Sequence, residues 1–111
     1  MALKPERKFR TQTVDPFLKR LKNCKSFSVQ QVAISGTPDK LLCINGKFVA
    51  LELKDKGKKP SKIQKYNLDG VVEAGGVSIV ASLNNWEEVK KILLQLDKGE
   101  YHGNQTYYEN V

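Results

Sequence analysis

A chain of 111 residues with 40% hydrophobic content suits one compact domain with a small core, and no apolar run reaches the roughly 18 residues that a membrane span needs. Cys24 and Cys43 are too few and too unpatterned for a disulfide framework or a zinc site. They are expected to be reduced thiols, and with no apolar signal region in residues 1–6 the expected location is the cytoplasm. The net charge of +7 is uneven: residues 1–66 hold 16 Lys and Arg against 5 Asp and Glu, a net of +11, and residues 67–111 hold 3 against 7, a net of −4. A basic half of this kind suits a polyanion, above all nucleic acid. The alternative for charge alone is a solvated surface rich in Lys.

In chain order, residues 4–23 read as helical. At about 100° per residue, Phe9, Thr13, Phe17 and Leu21 form one apolar stripe, with Glu6 in its middle and Asp15 on the far side. Pro16 removes a backbone donor and is expected to kink or restart the helix, with Asp15 as its N-cap rather than a ligand. Residues 26–34 read as a strand through Phe27, Val29, Val32 and Ile34. Two apolar runs, 40–44 and 47–54, flank Asn45-Gly46, the strongest short-range hairpin signal. Val49, Leu51 and Leu53 point one way, into the core, and Ala50, Glu52 and Lys54 the other. A basic loop, 55–59, leads to a helix over 60–74 that Gly75-Gly76 ends. Residues 77–81 form a short, nearly continuous apolar run, read as a buried strand parallel to its predecessor. A last helix begins at Asn84 or Asn85, with Glu88 completing a cap and a stripe of Trp86, Val89, Ile92, Leu93 and Leu96. Residues 98–111 read as a loose polar tail beyond a single domain, 1–97. The order α-β-β-β-α-β-α predicts an α/β fold, a mixed central sheet flanked by helices.

The hairpin also predicts a site. If Asn45 and Gly46 are a two-residue turn, Ile44 faces Lys47, and the same register sets Asp39 opposite Glu52 and Thr37 opposite Lys54. Facing side chains share one side of the sheet, with Cβ atoms about 4.5–5.5 Å apart, and like charges there are destabilising. A cation between the two acids resolves that repulsion. Magnesium or manganese suits oxygen ligands of this kind, and the carbonyl of Leu53 offers a further oxygen. Such an ion can neutralise a phosphate, activate a water and stabilise a leaving oxygen. Lys54 can position the water or stabilise phosphate charge. Gln64 has two readings. It can orient the phosphate or Lys54, or it can close a capping box with Ser61. Glu6 is a candidate third carboxylate, or an acid that favours the helix dipole. His102 stands alone in the tail with no Ser or Cys partner, which argues against a nucleophile–histidine mechanism.

Gly36-Thr37-Pro38-Asp39, Glu52-Leu53-Lys54 and Gln64 together resemble the PD-(D/E)xK nuclease superfamily. The Gly-x-Pro-Asp form, the Asn-Gly hairpin and the Lys59-Pro60-Ser61 helix start look specifically like its VRR-NUC (virus-type replication-repair nuclease) family, whose small stand-alone members occur in phages and bacteria. The resemblance runs from about Glu6 to Trp86. It implies a restriction-endonuclease-like core, with Asp39 and Glu52 as metal ligands, Lys54 as the catalytic lysine and Gln64 as an accessory glutamine. Glu6 would match the acid that the family carries on its first helix. It also implies Holliday-junction-resolvase-like activity by a homodimer, needing Mg2+ or Mn2+ but no small-molecule cofactor and no membrane. Backbone contacts to DNA are expected from Lys56, Lys58, Lys59, Lys62 and Lys65. The competing readings are a non-catalytic basic nucleic-acid-binding module and a flap or restriction-type nuclease with the same site.

Overall fold

A tight turn at Asn45-Gly46 sets the register of the sheet. Both residues have positive φ, 49° and 79°, as a type I′ turn requires. In the computed structural model, which describes residues 5–29 and 36–111, strand β2 (Lys40–Ile44) pairs antiparallel with β3 (Lys47–Leu53). Ile44 faces Lys47 and Lys40 faces Leu51, the register expected from the turn. Strand β1 (Cys24–Ser28) lies antiparallel on the other side of β2. It starts two residues before the expected position, and the Val29 N–H extends its pairing to the Asp39 carbonyl at 2.9 Å. Residues 30–34 of the expected strand lie outside the described residues. Strand β4 (Val77–Ala81) runs parallel to β3, with Val49 opposite Val77 and Leu53 opposite Ala81. The result is a four-stranded mixed sheet in the order β1-β2-β3-β4, with helix α3 (Lys62–Glu73) in the β3–β4 connection.

One face of the sheet carries the larger core, and the other is covered on its β3–β4 side. Leu42, Ile44, Val49, Leu51, Leu53, Val77, Ile79 and Ala81 form the larger core with the N-terminal helices and helix α4 (Trp86–Asp97). On the opposite face Ala50 and Val80 meet Leu68 of α3 and Val111. The expected stripe of α4 is buried throughout, and Trp86 stands edge-to-face against Phe9 and Phe17, with both ring separations 5.5 Å.

The N-terminal helical run departs from a uniform 3.6-residue period. Helix α1 (Pro5–Phe9) passes through a π-helical turn, Arg10–Val14, into α2 (Asp15–Arg20). The Asp15 N–H donates to the Arg10 carbonyl, five residues back. This wide turn moves the buried positions to Phe9, Val14, Leu18 and Leu21. Thr13 is therefore only partly buried, and Phe17 is packed at the margin of the core. The α-helical pattern restarts at Asp15 after the π turn, with Pro16 in the first turn of α2 as expected, where its missing donor costs little. Asp15 is not the cap expected of it: the residue before α2 is Val14, in helical conformation, and no side chain caps that end.

Two further expectations fail at the other end of the chain. Glu88 makes no cap; its carboxylate meets Lys91 at 3.3 Å. Asn85, only 2% exposed, turns inward instead. Its Nδ2 donates to the carbonyls of Val80 and Glu109, and its Oδ1 accepts from the Ser82 N–H. The segment after α4 is not loose. Tyr107 bridges Ile79 in parallel, donating its N–H to the Ser78 carbonyl at 2.9 Å and accepting from the Val80 N–H at 2.7 Å. Val111 is buried in the smaller core. The free edge of β4 needs backbone partners, and a polar segment supplies them as well as an apolar one. Among the described residues no helix is long and apolar enough to cross a membrane.

Candidate functional site

The β2–β3 register brings Asp39 and Glu52 together just beyond the last ladder pair. The Asp39 N–H donates to Glu52 Oε1 at 3.3 Å, and the Leu53 N–H donates to Asp39 Oδ2 at 2.8 Å. Each carboxylate is thus held by the backbone of the strand that carries the other. Glu52 is buried, 3% exposed, and Asp39 is half-buried. The Lys54 ammonium lies 3.5 Å from Glu52 Oε2.

Burial is the largest influence on Glu52 and the charge of Asp39 the next. Together they push its carboxyl from an ordinary 4.5 up to about 7, against the opposing pull of Lys54 and the Asp39 N–H. The Lys54 ammonium does not fully offset the burial of Glu52 and the charge of Asp39.

That imbalance bears on whether a divalent ion suits this corner. Asp39 and Glu52 are hard oxygen donors, each with one oxygen engaged by a single backbone N–H. Two carboxylates suffice for Mg2+, which retains several waters, and a cation between them would relieve the strain on Glu52. The donor set fits Mg2+ or Mn2+. Among the described residues no group of three or more His, Cys, Asp or Glu side chains is arranged around a metal. Glu6 falls within α1, but its side chain lies outside the described residues.

Gln64 takes the capping role. Its side-chain carbonyl accepts from the Ser61 N–H at 2.9 Å while Ser61 Oγ accepts from the Gln64 N–H at 3.2 Å. Of the lysines expected to face DNA, Lys56, Lys58, Lys59 and Lys62 are exposed. The loop bearing the first three is tied down where the Gly57 N–H donates to the Val111 carbonyl at 2.9 Å. Lys65 differs from the rest. Asp69 holds its ammonium at 2.8 Å, and it lies 5.5 Å from the Tyr108 ring. There it lines a cleft of about 390 Å³ with Asp69, Thr106 and Tyr108, apart from the carboxylate pair. His102 is exposed.

Two side chains that the sequence does not mark as functional, Lys40 and Asn67, support the site. Lys40, 3% exposed, turns to the larger core, where its ammonium pairs with Asp15 at 2.7 Å and donates to Ser28 Oγ at 2.9 Å. Helix α2 and strand β1 are thereby tied to the residue next to Asp39. The signal for this was the alternation of β2, in which Lys40 shares its face with Leu42 and Ile44. Asn67 of α3 donates to the Gly36 carbonyl at 2.9 Å, anchoring the turn that leads to Asp39. Gly36 has φ +77°, and a Cβ there would lie 3.0 Å from the backbone of Ile63 and the Asn67 amide. The glycine is thus required both by conformation and by close approach to α3. Finally, Asp55 Oδ1 is buried without a hydrogen-bond partner among the described residues.

No family model, curated protein or solved structure matches this chain.

Proposed function

We propose that this chain is a divalent-metal-dependent DNA endonuclease with a PD-(D/E)xK core of the VRR-NUC type. In this reading it hydrolyses phosphodiester bonds in branched DNA such as Holliday junctions. The observation that carries the reading is the pairing of Asp39 with Glu52, with the Lys54 ammonium 3.5 Å from the latter. Asp39 and Glu52 would hold Mg2+ or Mn2+, with the Leu53 carbonyl as a further oxygen and Glu6 as the candidate third carboxylate. The ion, when bound, supplies Lewis acidity and neutralises phosphate charge. Lys54 orients the attacking water and stabilises charge developing on the phosphate. Gln64, whose carbonyl is engaged by Ser61, retains its amide N–H groups for the phosphate. Exposed Lys56, Lys58, Lys59 and Lys62 hold the DNA backbone without reading sequence, so affinity falls steeply as salt rises. Symmetric cutting of two strands calls for a homodimer, which rests on analogy with resolvases.

The test is a substrate panel of four-way junction, flap, single-stranded and duplex DNA, each with Mg2+, Mn2+ or chelator. Cleavage is expected only with metal and preferentially on branched DNA. Lys54→Ala is expected to bind DNA normally and to lose cleavage by at least roughly 100-fold. Cleavage by this variant at the wild-type rate would exclude Lys54 from catalysis.

A second reading, a nucleic-acid-binding module without catalysis, is favoured by one observation. Each carboxylate accepts a backbone N–H from the opposite strand, so the pair has a structural use of its own. Absence of cleavage across the panel, with DNA binding retained, would decide for it.

A further inference from the structure

The sheet face that carries Asp39 and Glu52 continues past them as an open surface. By the register, Val29, Asp39 and Glu52 form one row, Phe27, Leu41 and Ala50 the next, and Lys25, Cys43 and Phe48 a third. Helix α3 covers the β3–β4 side of this face, where Ala50 and Val80 meet Leu68. The β1–β2 side is different. Phe27 is 61% exposed and Phe48 49%, Cys43 is exposed, and Leu41 is only partly buried. The Lys25 ammonium lies 5.5 Å from the centre of the Phe27 ring. Phe27 is one strand and two residues from Asp39, about 8 Å between Cα atoms, and about 12 Å from Phe48 by the same spacings.

Isolated exposed apolar residues are ordinary. Two phenylalanines on one sheet face, joined by Leu41 and Cys43 and continuous with a paired-carboxylate site, make a patch. Its chemistry limits what covers it. A lysine parked on the aromatic surface disfavours an apolar protein partner, because that ammonium would have to be desolvated. An unpaired nucleic-acid strand meets both features: its bases offer π-faces to the rings, and its phosphates neutralise Lys25. Aromatic side chains beside basic groups are the common means of holding single strands without sequence preference. The half of the chain that carries β1, β2 and β3 is also basic, with a net of +11 over residues 1–66. The geometry points to Phe27 and Phe48 as a stacking platform for an unpaired strand that leads into the Asp39–Glu52 corner. This rests on the nuclease reading and sharpens its substrate to DNA with a single-stranded segment beside the cut.

The test is fluorescence anisotropy in chelator, with a labelled single-stranded oligothymidine and a duplex of equal length. Wild type, Phe27→Ala, Phe48→Ala, Phe27→Leu and Phe27→Tyr are compared, and melting temperatures are measured for each. Alanine at either position is expected to weaken single-strand binding roughly 5- to 150-fold, the range for loss of one base–aromatic stack. Duplex affinity is expected to change less than about twofold, with an unaltered salt slope, because no charge is removed. Phe27→Tyr is expected to retain single-strand binding, and Phe27→Leu to lose it although it keeps apolar area. Equal loss on both DNAs, no loss on either, or rescue by leucine would overturn the platform. So would sedimentation showing that Phe27→Ala turns a dimer into a monomer, since a second copy would then own the patch. Parallel cleavage assays separate the two readings. If wild type cleaves DNA in Mg2+ and the phenylalanine variants bind as it does, only the platform fails. If wild type neither binds nor cleaves DNA, the nuclease reading fails with it.

Discussion

Glu52 is a carboxyl group held where ionisation is costly. In the unfolded chain it releases its proton near its ordinary 4.5, whereas in the fold burial and Asp39 hold that proton to about 7. Between those values the folded state binds more protons than the unfolded one, so stability falls as pH rises through the window. The loss expected by pH 8 in metal-free buffer is on the order of 3 kcal/mol, read as a falling urea midpoint between pH 4.5 and 8. Glu52→Gln should flatten that slope; a slope unchanged in the variant would assign it to another group. Asp39 gives a paired test. Asp39→Asn retains an acceptor for the Leu53 N–H and removes a charge beside Glu52, so without metal it should be neutral or stabilising. Asp39→Ala leaves that N–H without its acceptor and should cost about 1–3 kcal/mol. Equal melting temperatures for the two variants would mean that the bond to Leu53 contributes nothing.

Helix α2 and strands β1 and β2 meet at the Asp15–Lys40–Ser28 cluster, a polar link at the larger core. Lys40 is sealed from solvent, while Asp15 keeps about a third of its side-chain surface exposed. Removing either partner strands the other. Lys40→Ala should therefore destabilise by about 3 kcal/mol, while the double variant with Asp15→Ala should cost less than the sum of the two singles. Additive losses in that double-mutant cycle would show that the pair is not coupled. The hairpin elements follow from local chemistry, because Asn-Gly dictates the turn and the turn dictates the register. The N-terminal helix does not. Its π turn rotates Val14 and Leu18 into the core and brings Asp15 to Lys40, and no local pattern in the Phe9, Thr13, Phe17 and Leu21 spacing foretells it. The larger core favours the wide turn by burying two more aliphatic side chains, a reward that exists only once the sheet is formed.

At the scale of the whole molecule, the last six residues close the structure. Thr106 Oγ1 donates to Asp69 Oδ1 at 2.6 Å. Tyr107 takes up the edge of β4, and the Val111 carbonyl accepts from Gly57 N–H and from Ser82 Oγ, 2.9 Å each. Deleting residues 106–111 opens the smaller core and frees the basic loop. The expected fall in melting temperature is about 10–20 °C, given roughly 4–8 °C per kcal/mol for a domain of this size. An unchanged value would mean that the segment packs without contributing. On the metal-dependent reading, excess Mg2+ at pH 8 is expected to act in the opposite direction. An ion that binds only the folded state should raise stability by about 2.7 kcal/mol at 100 times its dissociation constant. Asp39→Asn should abolish this shift.

Sequence alone determined the element order, the β2–β3 register, the stripe of α4 and the meeting of Asp39 with Glu52. Each of these follows from interactions over a few residues: a turn that permits positive φ, a period of two or of 3.6, and a pair fixed by counting back from the turn. Tertiary structure decided the rest. It paired Lys40 with Asp15, drew Tyr107 onto the edge of β4 and left Phe27 and Phe48 uncovered. Those outcomes depend on partners tens of residues away. Which surface a side chain meets is settled when the layers close, and no local spacing contains that information.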